Sequence, residues 1–284
     1  MPGVRIPEGV GRTAIFISWT RLQESRRPDA LFNDPFAEVA LTRLADSPEM
    51  AQLAGSIDAV EDALLADWRA GDTFAYFAVR TRYFDDRLLA AVRGKGIRQV
   101  VVLAAGLDSR ALRLDWPAGT RWYELDLPDM IAFKEELLDG SGLAPRCERQ
   151  AVTADLGADW APHLLGAGFD PGAPTAWLIE GLLPYLPSEA VDALLTTVTE
   201  LSAPGSELLL EHNNTVMMGE AGRSAREAVE ANGAAWLSAR DDLEPWLAGF
   251  GWRAEVYAGS DPSIGHGRKV PELPSTWLAH AVRG

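Results

Sequence analysis

The sequence is poor in cysteine, in histidine and in basic residues, and each shortage excludes a class of protein. Cys147 is the only cysteine among 284 residues, so an intrachain disulfide and a cysteine-based metal cluster are both excluded. The four histidines show no metal-ligand spacing, and we therefore expect no metal site.

Basic residues are outnumbered by acidic ones, and the formal net charge is −15. A protein that neutralises many phosphates needs a basic face, so this balance disfavours nucleic acid as a partner. It also disfavours an anionic membrane surface. No apolar stretch is long enough to cross a bilayer, and the first residues do not resemble a signal peptide, so we expect a cytoplasmic protein.

The chain divides into a helical first third and a region of alternating strands and helices. Residues 13–93 show helical spacing of apolar residues, with a proline-rich break at 26–36. Short apolar runs that predict strands follow at 98–104, 121–126, 149–155, 175–180, 206–212, 252–258 and 276–282. Helical patterns at 128–139 and 188–202 separate some of them, which indicates an α/β fold with a doubly wound, mostly parallel sheet.

The last two strands have no convincing helix between them and are predicted to form an antiparallel hairpin at one edge. A late helix is predicted just before this hairpin, with Leu243 and Trp246 on its apolar face and Gly251 as its end. Ser238 and Asp241 resemble a capping box at its start.

The turn after the first strand contains a single glycine, Gly106, where a dinucleotide fingerprint has three. Asp108 would also place a negative charge near any phosphate. NAD and FAD are therefore disfavoured, whereas S-adenosylmethionine has no phosphate and carries cationic sulfonium and amino groups. Asp126 follows the next strand, 20 residues beyond Gly106, where a carboxylate can accept hydrogen bonds from ribose hydroxyls.

Several stretches together resemble one enzyme family. They are "AVRTRYFDD", "RRPDALFNDPFAE", "VVLAAGLDSRALRL", "YELDLPDMIAFKEELL" and "IEGLLPYL". The set is similar to the bacterial branch of the leucine carboxyl methyltransferase family, within the class I methyltransferases. The resemblance implies a Rossmann-like, seven-stranded mixed sheet, an N-terminal helical cap and S-adenosylmethionine as methyl donor. We accordingly expect one catalytic domain over residues 1–284, with a cap at 1–93, a core at 94–284 and a lid-like insertion at 213–240.

The resemblance also assigns residues to the methionyl part of the donor. Arg80 would pair with the methionyl carboxylate, with Arg82 as a nearby competitor for that role. Backbone groups from Ala104 to Gly106 would contact the methionyl amino group. Glu180, at the end of the fourth strand, would lie beside this end of the donor, although an ion pair with an arginine is an alternative role.

For the nucleoside part, the resemblance assigns Asp126 to the ribose. It assigns Asp155 and Leu156 to the adenine edge, through the Asp155 side chain and the backbone N–H. Asp155 could instead cap a turn.

The methyl acceptor is predicted to be a small molecule, such as a specialised metabolite of secondary metabolism, methylated on a carboxylate or hydroxyl oxygen. A carboxylate needs no catalytic base, whereas N- or C-methylation of an aromatic metabolite would benefit from one. Tyr185 and His212 are the candidate catalytic residues, since both follow predicted strand ends. Tyr185 could instead form a pocket wall or orient the acceptor through its hydroxyl, and His212 could instead satisfy backbone groups at the strand end. An NAD-type oxidoreductase and a non-catalytic cofactor-binding scaffold are the alternative functions.

Aromatic and methionine side chains from the cap and the insertion are candidates for an apolar acceptor pocket. They are Phe16, Trp19, Phe74, Tyr76, Phe77, Tyr83, Phe84, Met217, Met218 and Trp236. Helical core packing is the alternative explanation for them. The sequence shows no basic groove that would capture a peptide's C-terminal carboxylate, which favours a small acceptor over a protein tail.

Overall fold

The computed structural model describes residues 6–7, 10–45, 74–231, 233–271 and 276–284. The helices are α1 Val10–Ser25, α2 Pro35–Leu44, α3 Ala75–Gly94, α4 Arg110–Arg113, α5 Pro128–Leu138, α6 Ala161–Gly166, α7 Ser188–Glu200, α8 Arg223–Ala231 and α9 Leu243–Gly249. The strands are β1 Gln99–Leu103, β2 Arg121–Asp126, β3 Glu148–Thr153, β4 Thr175–Ile179, β5 Glu207–Asn213, β6 Trp252–Ala258 and β7 Thr276–Arg283. Single 3₁₀ turns lie at Leu183–Tyr185, Thr215–Met218 and Glu220–Gly222.

The seven strands form one sheet in the order β3-β2-β1-β4-β5-β7-β6. Strands β1 to β5 pair in parallel, whereas β7 pairs antiparallel with both β5 and β6. This is the mixed sheet of class I methyltransferases, and it confirms the predicted fold and the hairpin at one edge. The strand order reverses at β1 and β4, and in open α/β sheets ligands bind beside such a reversal, beyond the carboxyl ends of the strands.

Both faces of the sheet are covered by helices, and its central strands are buried and mostly apolar. All five residues of β1 and of β4 are buried, as expected for parallel strands buried on both faces. Helix α3 packs on one face through side chains such as Val79 and Leu88, and α6, α7 and α9 pack on the other. Helix α3, which the sequence places in the cap, therefore also forms part of the core.

Helices α1 and α2 lie over the carboxyl edge of the sheet. Their apolar side chains, including Ile15 and Phe36, pack with Leu107 after β1 and with Phe133 of α5. The proline-rich break between them ends in Asp34, whose Oδ1 accepts a hydrogen bond from the Ala37 N–H and caps α2. The part of the predicted cap at 46–73 lies outside the described residues.

The predicted capping box before α9 is wrong. The Ser238 hydroxyl donates to the Leu183 carbonyl at 3.1 Å, and Asp241 accepts from the Thr215 N–H at 3.0 Å. Helix α9 begins at Leu243 and follows Asp242, which makes no side-chain capping bond. Its end agrees with the prediction, since Gly251 adopts a positive φ of 83° just after the helix. In the parts of the chain that are described, none of the helices is sufficiently long and apolar to pass through a bilayer.

Candidate active site

Two residues of the turn after β1 adopt left-handed backbone conformations. Ala104 has φ 55° and Gly106 has φ 47°, and this conformation is costly for alanine because it carries a Cβ. The turn is fixed from β2, because Asp126 Oδ2 accepts a hydrogen bond from the Gly106 N–H at 2.7 Å. Asp126 Oδ1 accepts from the Leu127 N–H at 2.8 Å. The glycine turn and the acid at the end of the next strand are therefore in direct contact.

Asp126 is 8 % exposed and lines the cavity described below. Burial raises the pKa of its carboxyl group above the ordinary value, although the two backbone hydrogen bonds oppose this effect. The carboxylate still has lone pairs that can accept from hydroxyl groups of a ligand.

A cavity of about 520 Å³ begins at this turn and extends beneath the cap and the insertion. This volume lies within the usual range for small-molecule sites. The β1 turn and the residues after β2, β3, β4 and β5 form its floor, and α1, α3 and α8 form its walls. Each of the predicted cofactor-binding residues lines it, namely Arg80, Ala104, Gly106, Asp126, Asp155, Leu156 and Glu180.

One wall of the cavity is a buried network of charged side chains. Arg80 pairs with Glu180 at 2.8 Å and with Glu211 at 2.7 Å. Glu180 also pairs with Arg110 at 2.8 Å. Burial alone would raise the pKa of Glu180, but Arg110 and Arg80 hold it below the ordinary value. Glu180 is therefore ionised at neutral pH, and the arginine ion pair weighed from the sequence is present.

The opposite end of the floor carries Asp155 and Leu156. Asp155 is exposed, and its Oδ1 accepts a hydrogen bond from the Gly157 N–H at 2.8 Å. The turn-capping role weighed for Asp155 is thus present, and the residue also lines the cavity.

Two residues named from the sequence are not among the described residues that line the cavity: Arg82, the competitor for the Arg80 role, and His212, a candidate catalytic residue. Arg82 pairs with Asp86 at 2.9 Å and donates to the Leu31 carbonyl at 2.9 Å, which places its guanidinium elsewhere on α3. His212 is not among the described residues that line the cavity, whereas its neighbours Glu211 and Asn213 are. Successive side chains of a strand point to opposite faces, so His212 faces the other side of β5.

The candidate catalytic residues therefore have different positions. Tyr185 lines the cavity, and Trp236 hydrogen-bonds to it. Burial raises the pKa of Tyr185, so its hydroxyl stays protonated at neutral pH. Burial lowers the pKa of His212 to about 4, with a smaller contribution from Arg240. The position and the weak basicity of His212 both argue against its predicted role as a base.

We refer to residues 213–240 as the lid segment; residue 232 lies outside the described residues. Several of its side chains line the cavity, among them Met217, Ala225 and Trp236, and so do Phe16 and Phe77 from α1 and α3. Met218 is 38 % exposed and lies outside the lining. Tyr83 and Phe84 pack in the core beneath the sheet face, so only part of the aromatic set predicted from the sequence forms the pocket.

Two residues of the charged wall, Glu211 and Arg110, were not predicted as site residues, and Tyr76, which hydrogen-bonds to Glu211, was predicted only as a candidate for the acceptor pocket. Glu211 Oε1 accepts from the Tyr76 hydroxyl at 2.7 Å, and its Oε2 accepts from the Gly181 N–H at 3.1 Å. Their signal in the sequence is weak, because each is a common residue type in an ordinary helix or strand. Only the position of Glu211 near the end of β5 could have indicated it.

Comparison with known proteins identifies the family of this chain. A family model described as leucine carboxyl methyltransferase matches residues 14–199. The chain thus belongs to the leucine carboxyl methyltransferase family, which confirms the resemblance seen in the sequence.

The relatives carry consistent names. The chain is 45% identical over 272 residues to a protein of Parafrankia sp. strain EAN1pec, covering 94% of this chain and 84% of that one. That protein is described as a "Putative S-adenosyl-L-methionine-dependent methyltransferase". A protein of Saccharopolyspora erythraea with the same description is 42% identical, with coverages of 94% and 91%.

Among solved structures, a DUF574 family protein from Streptomyces avermitilis superposes with a TM-score of 0.59. Its sequence identity is 16%, and the match covers 80% of this chain and 90% of that chain. At this level of identity the likeness supports the fold alone.

Proposed function

We propose that this chain transfers the methyl group of S-adenosylmethionine to a carboxylate or hydroxyl oxygen of a small-molecule acceptor. The enzyme class and the methyl donor follow from the family and from the names of its relatives. One observation carries the rest: a single cavity joins the β1 turn and Asp126 to an apolar chamber beneath the lid segment. Donor and acceptor can therefore meet in one continuous cavity.

The polar floor fits the donor and does not fit a dinucleotide. Asp126 is available for the ribose hydroxyls, and Asp155 with Leu156 for the adenine edge. A pyrophosphate would need backbone N–H groups at this turn, but those of Ala105, Gly106 and Asp108 already donate to groups of the protein. The donor has no phosphate, so it does not need them.

The charged wall suits the methionyl end, which carries a carboxylate and an ammonium group. Arg80 presents a planar guanidinium that can bind a carboxylate through two hydrogen bonds. Glu180 is ionised beside it and can attract the ammonium group. The backbone of Ala104–Gly106 lies on the same side of the cavity and can supply further hydrogen bonds.

The chamber beneath the lid segment favours a small acceptor whose oxygen is already ionised or can be oriented by a hydrogen bond. In methyl transfer, the acceptor oxygen bonds to the methyl carbon while the carbon–sulfur bond breaks and its electron pair stays on sulfur. The enzyme must align these atoms and exclude water. Tyr185 can donate a hydrogen bond that orients the acceptor. A carboxylate needs no base, which agrees with the position of His212 outside the cavity.

Calorimetric titration with S-adenosylhomocysteine tests the donor site. We expect the wild type to bind and Arg80→Lys to bind about tenfold or more weakly, because a lysine cannot reproduce a two-pronged contact. Arg82→Lys is the matched control, since this neighbouring arginine lies outside the cavity. Equal losses in both variants, or no binding by the wild type at millimolar ligand, would contradict the proposed site.

A panel of carboxylates, phenols and indoles tests the acceptor class, with products identified by mass spectrometry. Methyl esters or ethers are expected. Products methylated only on nitrogen or carbon would refute the oxygen acceptor while leaving the donor assignment intact.

A further inference from the structure

We infer that Glu211 is a positioning residue that holds Arg80 and the turn after β4 in place for the amino-acid end of the methyl donor. This inference rests on the proposed function. It assigns a role to a side chain that neither the sequence patterns nor the family resemblance had indicated.

Glu211 joins three elements of the fold at one wall of the cavity. It lies in β5 and is 6 % exposed. Its Oε2 pairs with Arg80 Nη1 at 2.7 Å, and Arg80 belongs to α3. Its Oε1 accepts from the hydroxyl of Tyr76, one helical turn before Arg80, at 2.7 Å. One carboxylate thereby fixes a cation and a phenol on the same helix.

The third contact of Glu211 reaches the turn that follows β4. Its Oε2 accepts from the Gly181 N–H at 3.1 Å. Gly181 adopts a positive φ of 68°, a conformation that glycine tolerates, and it directly follows Glu180. Glu211 therefore fixes the backbone next to Glu180 as well as the guanidinium that Glu180 contacts.

The division of partners between the two acids explains why both are needed. Glu180 is shared between Arg80 and Arg110, whereas Arg80 is the only cation paired with Glu211 among the described residues. When the donor's ammonium group engages Glu180, Glu211 can remain on Arg80. The guanidinium then keeps its orientation while its other edge meets the donor's carboxylate.

Glutamine cannot replace this carboxylate fully, although it has nearly the same shape. A carboxylate accepts hydrogen bonds at both oxygens, whereas a glutamine amide accepts at one and donates at the other. Glu211→Gln therefore loses either the Arg80 contact or the Tyr76 contact. It also removes the charge that balances Arg80 in a buried site.

Two ligands separate positioning from general support of the fold. S-Adenosylhomocysteine contains the amino-acid end, and 5′-methylthioadenosine has the adenosine and thioether without it. We expect Glu211→Gln to weaken S-adenosylhomocysteine about ten- to a hundredfold, the loss typical of a hydrogen bond to a charged group. Binding of 5′-methylthioadenosine should stay within about twofold of the wild type. Calorimetry measures both affinities.

The control is Glu255→Gln, which changes an exposed acid paired with Arg87 at 3.6 Å and should alter neither affinity. Tyr76→Phe provides a second, milder variant that removes one contact of Glu211. It is expected to weaken S-adenosylhomocysteine about threefold and to spare 5′-methylthioadenosine. If Glu211→Gln does not fold, the Tyr76→Phe result decides the question by the same comparison.

Equal weakening of both ligands would overturn the inference, because it would indicate general disruption. Unchanged binding of S-adenosylhomocysteine in a folded variant would also overturn it. Failure of the wild type to bind S-adenosylhomocysteine would instead refute the proposed function, so the two failures are distinguishable.

Discussion

The buried histidine of β5 is expected to make the fold sensitive to acid. His212 is 1 % exposed, and its Nδ1 has no hydrogen-bond partner among the described residues. Burial lowers its pKa from 6.5 to about 4. In the unfolded chain the imidazole is hydrated and titrates near its ordinary value.

The sign of the effect follows from proton binding. Between pH 6.5 and about 4 the unfolded state holds a proton on His212 that the folded state lacks, so acid favours unfolding. The stability contribution is complete above pH 6.5 and is lost as the pH falls toward 4. The difference between the two pKa values corresponds to about 3 kcal/mol of unfolding free energy, at about 1.4 kcal/mol for each pH unit.

Urea unfolding of the wild type and His212→Gln at pH 7.5 and pH 4.5 tests this expectation. Glutamine does not titrate, so the variant should lose less unfolding free energy over this range, by roughly 2–3 kcal/mol. Carboxyl groups titrate in both proteins and cancel in the comparison. Equal losses in the two proteins would refute the assignment of a buried neutral histidine. The same variant should retain methyl transfer within about threefold, since His212 does not line the cavity.

Three further predictions concern the cavity. Asp126→Asn should weaken the binding of S-adenosylhomocysteine by about 1.5–3 kcal/mol at pH 7. In the wild type, the affinity measured by calorimetry should decrease as the pH is lowered through the raised pKa of Asp126, and an identical pH profile in the variant would contradict this. Gly259→Ala should destabilise the fold by about 1–3 kcal/mol in urea unfolding, because a Cβ there would lie 2.5 Å from Tyr76 Cε2; unchanged stability would contradict the packing. Met217→Ala should raise the acceptor KM several-fold while leaving the Kd for S-adenosylhomocysteine unchanged, and an equal loss for both ligands would place Met217 in the donor site instead.

The residues that the sequence indicated well are those at the ends of parallel strands. Gly106 and Glu180 follow β1 and β4, Asp126 is the last residue of β2, and all three line one cavity. Carboxyl ends of parallel strands share one edge of the sheet, so a local pattern in the sequence also fixes a position in the fold. The roles assigned to these residues toward the donor stay predictions, whereas the fold and the family are confirmed.

Contacts between distant parts of the chain were less predictable. Ser238 has the spacing of a helix cap, but it bonds to the carbonyl of Leu183, 55 residues away in the chain. A serine hydroxyl accepts or donates wherever a partner is nearest, and only the folded chain decides which partner that is.

The limit of predicting site residues from the sequence is clearest for the neighbours Glu211 and His212. Side chains alternate between the two faces of a strand, so one of these neighbours must face the cavity and the other must face away. An alternation of apolar and polar residues would normally reveal which face is which. In β5 all seven residues are buried, because helices cover both faces, and the alternation carries no such signal. The titration range of His212 therefore made it the predicted site residue, although the neighbouring carboxylate of Glu211 forms part of the cavity wall. The face of a doubly covered strand is set by the packing of α3 against the sheet, which depends on the whole chain.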